Sequence, residues 1–159
     1  MSIANRLKNY IDGQGVHYDT VEHPRASTAS AAAHGAHVPG RRMAKSVVVH
    51  HEMGYAVIVV PSTHRVELGR VQDALGKRLG LASEEEIGDV FEDCDKGAVP
   101  PVGAAYGIEV LVDENLMHEP EVWFEGGDHR TLIHIDGAGF NRLLRNAKKG
   151  RIGHRAERV

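Results

Sequence analysis

Residues 97–103 read Gly97-Ala98-Val99-Pro100-Pro101-Val102-Gly103. Two adjacent prolines exclude the interior of a helix or of a central strand, because each lacks a backbone N–H and holds φ fixed. The flanking glycines permit backbone shapes closed to other residues. The stretch therefore reads as a stiff loop with a bend at each end, able to present free backbone N–H groups to a ligand. The elements of the fold must lie on either side of it.

Downstream, residues 108–112 and 122–125 read as strands. Gly126-Gly127 makes a turn, and 131–135 forms a further strand. Asp136 caps a last helix with Phe140, Leu143, Leu144 and Ala147 on its core face. Upstream, Ser83 and Glu86 form a capping box for a short helix. Val71, Ala74, Leu75 and Leu79 mark an amphipathic helix before it. Residues 46–50 and 55–60 are rich in β-branched side chains, with Glu52-Met53-Gly54 as the hairpin turn between them. The run Val57-Ile58-Val59-Val60 is apolar on both faces and predicts a central strand.

Nearer the N-terminus, Ile3, Leu7, Tyr10 and Ile11 share a helical face that Gly13 and Gly15 close. Residues 16–22 predict a strand, broken by His23-Pro24. Ser27 or Thr28 caps an alanine-rich helix through Ala33, closed by Gly35. Helices and strands do not alternate regularly along this order. That argues against a doubly wound parallel sheet. The expectation is an α/β chain of α+β character: one domain with a mixed, mostly antiparallel curved sheet surrounded by helices.

The 159 residues suit a single core, and the 42% hydrophobic and 26% charged fractions are those of a globular protein. No apolar run reaches the ~20 residues that span a bilayer, and no signal-like segment opens the chain. A single cysteine, Cys94, precludes an internal disulfide and fits a cytoplasmic location. Its acidic neighbours Glu92, Asp93 and Asp95 disfavour a thiolate and mark it as a bystander. The net charge of −3 conceals an asymmetry. From Asn141 onward seven basic residues face one acid, Glu157, a balance of +6 that leaves −9 for residues 1–140. Such a segment either attracts a polyanion or is a solvated helix end followed by a frayed tail.

Three features could carry chemistry. Lys45 ends the basic stretch 41–45 and opens an apolar strand, so its backbone is anchored while its ammonium can meet a phosphate or a polarised carbonyl. The N–H groups near Gly97 and Ala98 could hold a carbonyl or an oxyanion. Eleven histidines lack zinc spacing and have no cysteine motif beside them; among them His129, at the turn after Gly126-Gly127-Asp128, could approach a cleft. No phosphate-binding glycine loop, dinucleotide fingerprint or nucleophile elbow is present.

The ordered set His23-Pro24, Lys45-Ser46-Val47-Val48, residues 97–103, residues 110–116 and Gly126-Gly127-Asp128-His129 resembles the YbaK/prolyl-tRNA-synthetase-associated family of aminoacyl-tRNA editing domains. The resemblance runs to about Leu144 and implies an editing domain over residues 1–145, with 146–159 as a basic C-terminal tail. It implies hydrolysis of the ester joining a wrong amino acid to the 3′ end of tRNA, without metal or organic cofactor. The implied partners are tRNA and a possible aminoacyl-tRNA synthetase, with no membrane. By the same resemblance Lys45 is the essential side chain and Gly97 to Pro101 shape the pocket. The expected catalytic set is Lys45, Gly97 and His129. The expected substrate contacts are His23, Met43, Ala98, Val99, Pro100, Pro101, Gly103 and Gly127, with Met43, Val99 and Val102 as pocket walls. The general base is open between His129 and a ribose hydroxyl of the substrate. Relatives that clear cysteinyl-tRNA carry a tyrosine before the landmark histidine and an acid after the double glycine. Val21 and the Leu132-Ile133 pair stand in those neighbourhoods, which turns the expectation from cysteine toward alanine or another small neutral residue.

Overall fold

The computed structural model describes residues 3–155. Its helices are α1 (Asn5–Gly13), α2 (Ala29–Gly35), α3 (Leu68–Leu75), α4 (Glu84–Val90), α5 (Glu114–Met117) and α6 (Gly137–Leu143). Its strands are β1 (Asp19–Glu22), β2 (Ala44–His51), β3 (Gly54–Pro61), β4 (His64–Val66), β5 (Gly80–Leu81), β6 (Glu109–Asp113), β7 (Glu121–Glu125), β8 (Thr131–Asp136), β9 (Lys148–Gly150) and β10 (Gly153–Arg155). The mixed α/β single domain expected from the sequence is the one observed. The hairpin β2–β3 is antiparallel, and β3 also pairs parallel with β6. The apolar run 57–60 is therefore central in the five-stranded order β5-β2-β3-β6-β9. A second, antiparallel sheet runs β1-β8-β7, and β4 pairs with β10 alone. A bridge between Met43 and Trp123 joins the start of β2 to β7.

Side-chain alternation sorts the strands into three apolar clusters. Val57 and Val59 of β3 meet Phe124, Ile133 and Ile135 of the second sheet in the main core, which α1 and α6 close with Leu7, Ile11 and Phe140. Ile58 and Val60 face the other way, against Val71 and Leu75 of α3. The outer face of the second sheet packs Leu132 and Met43 beneath Ala32 and Ala33 of α2. Each fully buried Val, Leu or Phe contributes roughly 1.5–3 kcal/mol of transfer free energy.

The caps follow the sequence. Thr28 accepts from the Ala31 N–H, Ser83 and Glu86 form both bonds of the capping box, and Asp136 accepts from the Gly139 N–H. Several local expectations shift, and the last helix ends at Leu143, before Leu144 and Ala147. The first strand is confined to Asp19–Glu22, Leu79 lies beyond α3, and Ala74 is exposed. Helix α3 stops because Gly76 takes a left-handed φ of 65°.

The segment read as a basic tail contains β9 and β10. Strand β9 extends the main sheet as parallel partner of β6, and Ile152 is buried at 1% exposure between the two strands. The last four residues, Arg158 among them, lie outside the described residues.

Candidate functional site

The proline loop is clasped rather than free-standing. Asp95 donates its N–H to the Gly127 carbonyl at 2.7 Å, and His129 donates from its Nε2 to the Lys96 carbonyl. On the other side of the same turn, the N–H groups of His23 and Ala26 donate to the carbonyls of Arg130 and His129. The turn 126–130 thus joins the loop to the segment leading into α2. Asp128 shapes it from within, accepting from the N–H groups of Arg130 and Thr131 and from the Thr131 hydroxyl. Burial opposes the charge on Asp128, but these bonds outweigh it and hold the carboxyl below its usual range.

Three backbone positions here have positive φ, Gly127 of the turn among them. Gly97 has φ 80° and His129 has φ 60°. A Cβ on Gly97 would stand 3.3 Å from Cε1 of His129. Glycine at 97 therefore serves both the backbone shape and the close approach of the ring. Gly97 is exposed, and among the described residues its N–H has no acceptor. Ala98 differs from expectation: its N–H donates to the Asp95 carbonyl at 3.0 Å and is not available to a ligand. The bend at Gly97 closes that bond.

Beneath the turn lies a pair that sequence reading found only in half. His23 donates from Nδ1 to the Pro24 carbonyl at 2.7 Å, leaving Nε2 to face Glu125 Oε1 at 3.9 Å. That separation is too long for a hydrogen bond. Among the described residues His23 Nε2 and Glu125 Oε2 are both buried without a hydrogen-bond partner. Burial, and then the charge of Asp128, push the Glu125 carboxyl up to about 7. Glu125 ends β7, and the available signal was an acid directly before the double glycine, after the apolar run Val122-Trp123-Phe124.

Lys45 stands apart from this cluster. It pairs with Val60, on the sheet face turned toward α3, whereas Val99 and Val102 pack in the main core on the other face. Its ammonium donates to the His64 carbonyl at 2.6 Å. Burial, reinforced by the Arg65 charge, lowers its pKa. Among the described residues no hydrogen bond or ion pair joins Lys45 to Gly97, Ala98 or His129.

The other expected contacts divide as well. Met43 packs with Ala32, Ala33 and Leu132, away from Val99 and Val102, so these three do not form one wall. Pro100 and Pro101 are buried. A Cβ on Gly103 would meet the Ile108 carbonyl at 2.7 Å, so this glycine is needed for packing beside β6. Gly127 contributes its carbonyl to the clasp and has φ 118°. Burial pushes the Cys94 thiol up to about 12, in keeping with a bystander. Among the described residues no group of three or more His, Cys, Asp or Glu side chains is arranged to hold a metal.

These elements define a class: a single α/β domain with a clasped proline loop on which, among the described residues, the exposed Gly97 N–H has no acceptor. Residues 23–143 match the aminoacyl-tRNA editing domain, and the chain belongs to that family. The family inferred from the sequence landmarks is the one observed.

Among solved structures, a protein proposed as a trans-editing enzyme for prolyl tRNA synthetase is 28% identical, with TM-score 0.82 over 95% of this chain and 96% of that one. A scaffold protein used for epitope backbone grafting by computational design is also 28% identical, with TM-score 0.83 over 95% and 97%. The hypothetical protein APE2540, at 21% identity, shares the fold with TM-score 0.82 over 94% and 100%. No curated protein matches the chain.

Proposed function

We propose that this domain is a trans-acting aminoacyl-tRNA deacylase that removes a mischarged small neutral amino acid, alanine in preference to cysteine. The observation that carries the reading is the editing-domain match over residues 23–143, which spans both Lys45 and the clasped loop. The near-complete mutual coverage with the proposed trans-editing enzyme supports action as a separate domain.

In this reading water attacks the ester carbonyl. The ester C–O bond breaks, and the amino acid leaves the ribose oxygen of the 3′ end. The Gly97 N–H stabilises the developing oxyanion, a preorganised interaction whose loss typically costs 10²–10³-fold in rate. Lys45 offsets phosphate charge next to the reacting end. His129 Nε2 donates to Lys96, which leaves the lone pair on Nδ1; that nitrogen and the substrate's own ribose hydroxyl are the two candidates to take the proton from water. No metal is required, since an activated ester needs only a well-placed water and a stabilised oxyanion.

The preference for alanine rests on a pairing. Val21 and Leu132, in the neighbourhoods where cysteine-clearing relatives carry polar side chains, stand opposite each other across β1 and β8. An apolar pair discriminates by size, at about 1–3 kcal/mol per methylene.

The second reading is a tRNA- or synthetase-binding module of the same fold without catalysis. The placement of Lys45 on the His64 carbonyl, on the sheet face opposite Val99 and Val102, favours it. Deacylation measured over a panel of mischarged tRNAs separates the two. Release of alanine above the buffer rate supports the deacylase. Tight binding without release on every tRNA supports the module.

A further inference from the structure

The basic residues near the C-terminus remain unexplained by the editing site, and the family match ends before them at residue 143. The structure places part of them beside Lys45. In the β4–β10 ribbon His154 pairs with Arg65, and Arg155 pairs with His64. The Lys45 ammonium reaches the same ribbon through the His64 carbonyl. Arg65, whose charge acts on Lys45, and Arg155, which pairs with His64, project from opposite faces of this ribbon.

The ribbon is a built element. Glu67 donates its N–H to the Ile152 carbonyl at 2.8 Å, and Ile152 donates its own to Asp113 Oδ2. Gly153 lies so close to β4 that a Cβ there would stand 2.8 Å from the Arg65 carbonyl. A fixed backbone lowers the ordering cost of binding.

The charge around the ribbon is mostly unneutralised. Arg65 and Arg155 are exposed and have no acidic partner among the described residues. Glu67 is the nearby half-buried acid, and it is divided between Arg70 at 2.6 Å and His154 at 3.0 Å. Asp113 faces His64 but is buried, its oxygens taken by the N–H groups of Asn115 and Ile152. Lys148 and Lys149 of β9 are exposed close by in sequence. Residues 1–140 carry −9 overall, so a polyanion is repelled by most of the body and drawn to this end.

We infer that the basic β4–β10 ribbon, with Arg65 beside Lys45 and Arg155 on its other face, binds the phosphates of an RNA backbone leading to the editing site. The inference rests on the proposed deacylase or tRNA-binding reading and names the surface by which that reading engages RNA.

Fluorescence anisotropy of an uncharged tRNA, titrated with the full chain at several salt concentrations, tests it. Arg65→Gln/Arg155→Gln should bind roughly ten-fold more weakly, and its log K against log[salt] slope should be shallower by roughly 1.5. Lys77→Gln/Arg78→Gln, which removes the same charge from the loop after α3, should change neither by more than about two-fold. Both Arg side chains are exposed, so thermal melting should be unaltered; if it drops, the single variants Arg65→Gln and Arg155→Gln are titrated instead, with half the slope change each.

An unchanged slope in folded variants overturns RNA binding by the ribbon while leaving deacylation of mischarged tRNA, measured in parallel, to judge the function. Equal weakening by the control pair also overturns it, since the attraction would then follow net charge alone. Absence of tRNA binding by the unaltered protein, with an acidic peptide binding instead, overturns it in favour of a protein partner.

Discussion

His129 donates from its ring to the carbonyl of Lys96, fastening the turn after β7 to the first residue of the loop that bends at Gly97. The bond joins segments 33 residues apart. It is made from a non-glycine residue at φ 60°, a conformation rare for such residues and found where surrounding contacts enforce it.

Replacing His129 by Ala should cost about 1–2 kcal/mol, because the Lys96 carbonyl loses its donor. Urea denaturation measures the loss. Amide exchange at Ala98, whose N–H closes the neighbouring bend, should accelerate before global unfolding. Unchanged exchange at that amide would show that the Asp95–Gly127 bond holds the loop alone.

Gly97→Ala places a methyl against His129 in a backbone region that Ala disfavours. A destabilisation of at least ~1 kcal/mol is expected, with deacylation falling further than stability accounts for. A variant as active and as stable as the parent would refute the role given to the Gly97 N–H.

Glu125 gives a signed pH dependence. Its folded pKa is raised to about 7 from 4.5, so the native state holds the proton more tightly than the unfolded chain. The stabilisation is fully present below about pH 4.5 and is lost as pH rises to about 7. The loss is on the order of 3 kcal/mol at ~1.4 kcal/mol per unit. Glu125→Gln should remove this slope and be the more stable form at pH 8. Parallel curves of stability against pH for the two proteins would contradict the assignment.

Lys45→Ala should leave the melting point nearly unchanged, because the native site already disfavours the charged ammonium through burial and the Arg65 charge. Deacylation should fall by about 10²-fold or more. Activity retained within a few-fold would overturn the catalytic role given to Lys45, and a fall in tRNA affinity alone would leave it a binding residue.

Much of this was legible in local sequence. The apolar run 57–60 announced a central strand because only a strand covered on both faces tolerates four consecutive aliphatics. Ser83, Asp136 and the Ser27–Thr28 pair, of which Thr28 makes the bond, announced their caps because capping is a contact within three residues. The short strands were not legible: β5 has two residues, and β9 is Lys-Lys-Gly, with no alternation to read. Only the lone Ile152 in a basic stretch hinted that the chain turns back into the core.

The site divides in the same way. Sequence by itself determined that the proline loop is rigid, that Gly97 bends it and that the landmarks follow the order of an editing domain, since these depend on bonded neighbours and on order along the chain. Tertiary structure decided which groups are free to act. It engaged the Ala98 N–H, committed one nitrogen of His129, set His23 facing Glu125, and set Lys45 against β4 beside Arg65. Those outcomes depend on burial and on strand register between segments distant in sequence, because a one-residue shift in pairing turns a side chain to the opposite face of the sheet.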